Sequence, residues 1–178
     1  MPRLLAISGS LRAASTNTAL LKAASMLAPS GTSIELYRDL SHLPHFNPDM
    51  ESPLPSIVAE LHARIENVDG FLIACPEYAR GIPGAFKNAL DWLVGSTSFP
   101  GMPVALFNAS PRASAAQNAL RLVLTTMSAD VIDDASIAID LLSKGMDADD
   151  IAGDPAMSSL IVKALNSLAA AIAERPVY

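Results

Sequence analysis

The stretch Gly70-Phe71-Leu72-Ile73-Ala74-Cys75-Pro76-Glu77-Tyr78-Ala79-Arg80-Gly81-Ile82-Pro83-Gly84-Ala85-Phe86-Lys87-Asn88-Ala89-Leu90-Asp91-Trp92-Leu93 reads as a strand, a polar turn and a helix in direct succession. The run from Gly70 to Cys75 is continuously apolar, as in a strand covered on both faces, and Pro76 ends it. Pro83 suits a first helical turn because it has no N–H to leave unpaired, and Phe86, Leu90 and Leu93 then recur at helical spacing. A strand buried on both faces that leads into an amphipathic helix is half of a βαβ unit.

The same unit repeats outward from this segment. Upstream, Arg3 to Ser8 forms a first apolar run, and a helix from about Asn17 or Thr18 carries Leu20, Leu21, Ala24 and Leu27 until Pro29 and Gly31 stop it. Ser33 to Tyr37 reads as a second strand, with Ile34 and Leu36 on one face. It leads into a long segment with Pro44, Pro48, Pro53 and Pro55, too long to be mere connection. Leu54, Ile57, Val58, Leu61 and Ile65 mark a second helix. Downstream, Pro103 to Phe107 is a fourth strand, and Ala116, Leu120, Val123, Leu124 and Met127 lie on a fourth helix. A fifth strand falls at Val131-Ile132 or, by preference, at Ala135 to Ile139, and a last helix runs from about Pro155 to Glu174. Five alternations in 178 residues predict an α/β fold: a flavodoxin-like three-layer α/β/α sandwich with a five-stranded parallel sheet in the order 2-1-3-4-5, one domain over 1–178.

Composition narrows the function. Hydrophobic residues make up 51% and charged residues 17%, which is incompatible with general disorder. The net charge of -6 argues against nucleic acid, whose binding needs clustered Lys and Arg. The mean hydropathy of +0.33 fits helices packed on both faces of a sheet. No stretch is expected to approach the ~20 apolar residues of a transmembrane helix, no export signal or membrane insertion is expected, and the lone Cys75 excludes a disulfide framework, so the expected location is cytoplasmic. His42, His45 and Asp49 form no recognisable zinc pattern, and Asp147, Asp149, Asp150 and Asp154 lack the EF-hand spacing. No metal site is expected, and both groups read as solvated loop residues.

Ligands of open α/β sheets bind at the carboxyl ends of the strands, so the loops after strands one, three and four should meet. The first, Ser8-Gly9-Ser10-Leu11-Arg12-Ala13-Ala14-Ser15-Thr16-Asn17-Thr18, joins a buried strand to a helix start and is rich in hydroxyls. Free amide N–H groups, the helix dipole and Arg12 there suit a phosphate, while simple capping by Ser15 or Asn17 with Arg12 solvated accounts for the same residues. The loop has neither the Walker lysine nor the G-x-G-x-x-G fingerprint. In the third loop, Ser110 or Ser114 can serve as a helix cap. Cys75 reads as an inert core thiol, Trp92 as core or subunit packing, and Lys87 with Asp91 as a helical i, i+4 pair.

Two long motifs resemble one known family. Pro76-Glu77-Tyr78-Ala79, Pro83-Gly84, Lys87-Asn88 and Asp91-Trp92 follow the P-E-Y-N-x-x-x-P-G-x-L-K-N-x-x-D-W pattern of the NADPH-dependent FMN reductases, departing at Ala79 (Asn is usual) and Phe86 (Leu is usual). Gly9, Ser10, Leu11, Arg12, Ser15 and Asn17 match the same family's G-S-L-R-x-x-S-x-N element. The resemblance implies that Ser10, Arg12, Ser15, Thr16 and Asn17 hold the FMN phosphate, that Pro76, Glu77, Tyr78 and Ala79 border the isoalloxazine ring, and that Ser110 is a contact from the third loop. It implies FMN as cofactor, NADPH or NADH as co-substrate, and ping-pong electron transfer to a small acceptor such as a quinone, flavin, azo or nitro compound, or chromate. A flavodoxin-type electron carrier that does not oxidise NAD(P)H is the alternative. A homodimer or homotetramer is also implied, with Trp92 and the segment after it as candidate interface, and Arg80 and the Pro-rich loop as possible substrate contacts. No side chain is expected to act as a catalytic acid or base.

Overall fold

A computed structural model of the chain describes residues 1–175. The elements are β1 (Arg3–Ser8), α1 (Thr16–Met26), β2 (Ser33–Tyr37), α2 (Ser56–Glu66), β3 (Gly70–Ala74), α3 (Gly84–Leu93), β4 (Pro103–Asn108), α4 (Ser114–Thr126), β5 (Asp130–Val131), β6 (Ile137–Ala138), α5 (Ala148–Gly153) and α6 (Pro155–Ala173). All strand pairs are parallel and the sheet order is 2-1-3-4-5, so the fold is flavodoxin-like as expected. Side chains of successive strand residues point to opposite faces, which splits the core into two halves. Leu5, Ile7, Phe71, Ile73, Val104 and Leu106 pack under α2, α3 and α4. Leu4, Ala6, Leu72, Ala74, Ala105 and Phe107 pack under α1, α5 and α6.

Both sequence candidates for the fifth strand lie along β4. β5 pairs with its start, Val104 beside Val131, and β6 with its end, Asn108 beside Ala138. A single 3-10 turn at Asp133–Ala135 separates them. The Leu106 N–H, which the interruption deprives of a strand partner, donates instead to Ser136 Oγ at 3.1 Å, and that hydroxyl donates to the Ile132 carbonyl at 2.9 Å. A broken edge of this kind offers little template for pairing with another chain.

Three expectations need correction. The acidic segment 147–154 is not a solvated loop. Asp147 and Asp150 form a reciprocal capping box on α5, Asp154 Oδ1 accepts from the Ala156 and Met157 N–H groups at the start of α6, and Ile151 is buried between. The second correction concerns α6, which is long and apolar enough by length and composition to cross a membrane. Here its stripe of Ile161, Ala164, Leu165 and Leu168 is buried in the sheet-facing core. The third is Trp92, which is only 2% exposed within this one chain and therefore offers no subunit contact; Val94, 67% exposed, is the accessible apolar residue of that segment.

Trp92 instead fastens the Pro-rich segment. Its indole Nε1–H donates to the Pro44 carbonyl at 2.8 Å, and Phe46 stands edge-on to the ring with centroids 5.0 Å apart. Asn88, one turn earlier, donates from Nδ2 to the same carbonyl and accepts from the Phe46 N–H at 2.7 Å. His62 Nε2 donates to the Trp92 carbonyl at 2.9 Å, joining α2 to α3. The K-N-x-x-D-W spacing thus places Asn88 and Trp92 on one helical face, where they satisfy the backbone of a long loop. Lys87 and Asp91 form the expected i, i+4 ion pair.

Tyr37, at the end of β2, is buried with its hydroxyl unpartnered among the described residues. Burial first, then the nearby Asp39 carboxylate, pushes its phenol up to about 12. Removing an unsatisfied buried hydroxyl relieves its desolvation cost, so Tyr37→Phe is expected to stabilise the fold by about 1 kcal/mol. The phenol stays protonated to about pH 12 in the fold. An unfolded tyrosine loses its proton near pH ~10, so native stability falls across that window as the unfolded state deprotonates first. Urea midpoints at neutral and alkaline pH check this: the Phe variant should gain at both and lose less on raising the pH.

Candidate active site

The carboxyl ends of the three central strands are level, with Ser8 beside Ala74 and Ile73 beside Leu106. β2 lies on one side of β1 and β3 on the other, so the chain reverses its winding at β1, and this is where the three loops converge. They enclose a cleft of about 310 Å³, within the usual range for ligand sites. Ser10, Arg12, Ser15, Thr16, Asn17, Pro76, Glu77, Tyr78 and Ser110 all line it. Of the residues that the resemblance assigns to the cofactor, only Ala79 does not, and Arg80, a possible substrate contact, is not part of the lining either.

The first loop is braced from within. Ser8 Oγ accepts from the Ser10 N–H at 3.3 Å and from the Thr18 hydroxyl at 2.8 Å, and Ser10 Oγ accepts from the Arg12 N–H. Ser15 caps α1 by accepting from the Thr18 N–H at 3.3 Å. That bond uses an oxygen lone pair and leaves the hydroxyl proton to donate, so capping and anion binding are compatible at this residue. Ser15 and Asn17 are each only 7% exposed, unusual for small polar residues beside a cleft. Gly9 is required for close approach rather than for a special turn. Its N–H donates to the Ala74 carbonyl at 2.8 Å, and a Cβ there would meet Cys75 Sγ at 3.2 Å and Phe86 at 3.3 Å.

The second loop forms a tight two-residue turn in which the Tyr78 N–H donates to the Gly81 carbonyl and the Gly81 N–H to the Tyr78 carbonyl. Ala79 and Arg80 at its tip have φ of +50° and +62°, the left-handed conformation that such turns demand. The Tyr78 N–H is therefore already paired within the turn and is not free to donate to a ligand. The conformation accounts for the asparagine usual at this position, since asparagine tolerates it better than alanine, and nothing in the structure explains the alanine. Ala79→Asn is expected to raise stability by roughly 0.5–1 kcal/mol. An upward shift of the urea midpoint, with no change in ligand binding, checks it.

The third loop departs from simple capping by Ser110 or Ser114. The Ser110 N–H donates to Asn108 Oδ1 at 2.9 Å and its carbonyl accepts from the Ala113 N–H. The residue that caps α4 by position is Ala113, which has no side-chain acceptor. Glu77 supplies one from the second loop: its Oε2 accepts from the Ala116 N–H at 3.0 Å. Asn108, Ala109, Arg112, Ala113 and Leu142 complete the lining. Leu142 carried no signal in the sequence; it arrives because the Ile139 and Leu141 N–H groups extend the β4 pairing onto the Asn108 and Ala109 carbonyls.

Cys75 lines the cleft but is 1% exposed, and burial pushes its thiol up to about 12. It is a packed thiol rather than a nucleophile. A larger groove of about 700 Å³ runs along α1 towards α5; it shares only Ser15 and Thr16 with the cleft and mixes Lys22 and Arg38 with Asp147 and Asp149. The converging loops, and not the larger volume, mark the site.

Fold and cleft together define a flavodoxin-like α/β protein whose three converging loops form a cleft at the head of its parallel sheet. The sequence profile of the NADPH-dependent FMN reductases matches residues 2–143, and the chain belongs to that family. It is 34% identical over 172 residues, 93% of this chain and 92% of the relative, to an NAD(P)H-dependent FMN reductase of Pseudomonas aeruginosa. It is also 37% identical over 111 residues to a 2-hydroxy-1,4-benzoquinone reductase of a Burkholderia species, covering 61% of this chain and 60% of the relative. Among solved structures, the flavoenzyme NAD(P)H:(acceptor) oxidoreductase FerB of Paracoccus denitrificans superimposes with a TM-score of 0.73 at 26% identity, over 96% of this chain and 98% of that one. The chain is thus an NAD(P)H-dependent FMN reductase or quinone reductase-like enzyme.

Proposed function

We propose that this chain binds FMN in the 310 Å³ cleft and uses NAD(P)H to reduce a small acceptor, a quinone in the first instance. The observation that carries this reading is the convergence of Ser10, Arg12, Ser15, Thr16, Asn17, Pro76, Glu77, Tyr78 and Ser110 from three distant loops on one cleft. The donors suit the cofactor. Arg12 offers a charged fork, Ser10, Ser15 and Thr16 offer hydroxyls, and the start of α1 offers amide N–H groups, which together match a phosphomonoester dianion. Pro76 and Tyr78 supply flat, largely apolar surface for a ring system, and Ser110 and Arg112 add polar donors to the same lining. When bound, FMN supplies the two-electron redox chemistry. The protein's part is to orient the cofactor, to shield one face of it, and to leave the other open for donor and acceptor in turn. Tyr78 and Leu142, both about half exposed, add apolar surface to the cleft of a kind suited to planar aromatic acceptors.

Steady-state rates with NADPH and 1,4-benzoquinone varied together test the reading. One open side used in turn predicts parallel double-reciprocal lines. Intersecting lines would contradict it by requiring both substrates at once. A flavin that the protein retains but NADPH and NADH fail to reduce would instead identify an electron carrier.

A further inference from the structure

Glu77 joins two of the loops that build the cleft. α4 begins at Ser114 without a side-chain cap of its own, because Ala113 offers no oxygen. Glu77, carried by the loop after β3, places Oε2 at 3.0 Å from the Ala116 N–H in the first turn of that helix. A second tie runs parallel to it, from Gln117 Nε2 to the Cys75 carbonyl at 3.4 Å. Glu77 is also the sole carboxylate that lines the cleft among the described residues, facing a lining whose other charged groups are Arg12 and Arg112.

Two consequences follow from ordinary electrostatics. A carboxylate at a helix N-terminus satisfies an orphan amide and offsets the positive end of the helix dipole. A fixed negative charge beside a cleft also disfavours any further negative charge placed in it, and does so more strongly where water is excluded. The reduced form of a flavin carries more electron density than the oxidised form, so a nearby carboxylate holds its potential down.

We propose that Glu77 is a positioning residue that locks the second loop onto α4 and, by its charge, lowers the reduction potential of the bound cofactor. The second half rests on FMN occupying this cleft. Glutamine separates the two roles, because its amide oxygen can still accept from the Ala116 N–H while the charge is gone. Alanine removes both.

The test uses Glu77→Gln and Glu77→Ala with three readouts: thermal melting without flavin, FMN affinity by fluorescence quenching, and the midpoint potential of the FMN-loaded protein by spectroelectrochemical titration. Without flavin, Glu77→Gln should melt slightly below the wild type, having kept the hydrogen bond and lost only the charge that offsets the helix dipole, and Glu77→Ala clearly lower than both. With flavin, Glu77→Gln should have a more positive midpoint potential and bind FMN about two- to fivefold more tightly, since one negative charge leaves the cleft that receives the anionic cofactor. An unchanged potential in Glu77→Gln overturns the electrostatic role. An alanine variant that melts with the wild type overturns the loop lock. Failure of the wild type to bind FMN overturns the functional reading and the potential shift with it, while the flavin-free melting comparison still decides the lock.

Discussion

Arg12→Ala should weaken FMN binding by about 10- to 100-fold, the size expected from losing a charge-assisted hydrogen bond to a phosphate. The guanidinium lines the cleft and has no intramolecular hydrogen bond or ion pair among the described residues. Its removal therefore costs the fold little, and melting without flavin should match the wild type. Arg12→Lys should recover part of the affinity, because a point charge replaces the fork without restoring two parallel bonds. Equilibrium titration of flavin-free protein with FMN measures all three. Equal affinities would mean that the cleft does not take the phosphate through this loop.

The other large effect concerns the fold. Trp92→Ala is expected to destabilise the protein by about 3–5 kcal/mol, in line with truncating a fully packed aromatic residue. The loss has three sources: the buried ring, the edge-on contact with Phe46 at 5.0 Å, and the bond from Nε1 to the Pro44 carbonyl. Trp92→Phe keeps most of the ring and loses the bond, at a cost of about 1 kcal/mol, softened because Asn88 still donates to Pro44. Because both residues hold the segment between β2 and α2, proteolytic nicking should begin at residues 44–47 in the alanine variant. Chemical unfolding midpoints and limited proteolysis check these expectations.

Much of this architecture is legible in the sequence because the strands are buried on both faces and announce themselves as uninterrupted apolar runs. Gly70–Ala74 is the clearest case, with every residue buried. The fifth strand was ambiguous for a physical reason. It is two short pieces, and the gap between them is closed by the Ser136 hydroxyl, a contact that no periodicity reveals. α5 was hidden because it is six residues long and its capping acids resemble a solvated acidic run. In the site, Ser10, Arg12, Ser15 and Asn17 stand out through their match to a family motif, since their spacing in one loop fits simple capping equally well. Glu77 was found, yet its bond to Ala116 was not, because that contact spans 39 positions and depends on α4 lacking a cap of its own. Leu142 depends in the same way on the β6 pairing. Contacts made across the sheet, rather than along the chain, are the ones that local sequence does not display.

The proposed function requires that the converging loops bind FMN and present it to a nicotinamide. The most direct test is the visible spectrum of the purified chain after addition of FMN and removal of the excess, recorded before and after one equivalent of NADPH under anaerobic conditions, and again after 1,4-benzoquinone. The expected result is a retained flavin band that NADPH bleaches and the quinone restores, with no retained band in Arg12→Ala. A wild-type chain that retains no flavin, or a retained flavin that neither NADPH nor NADH bleaches, would contradict it.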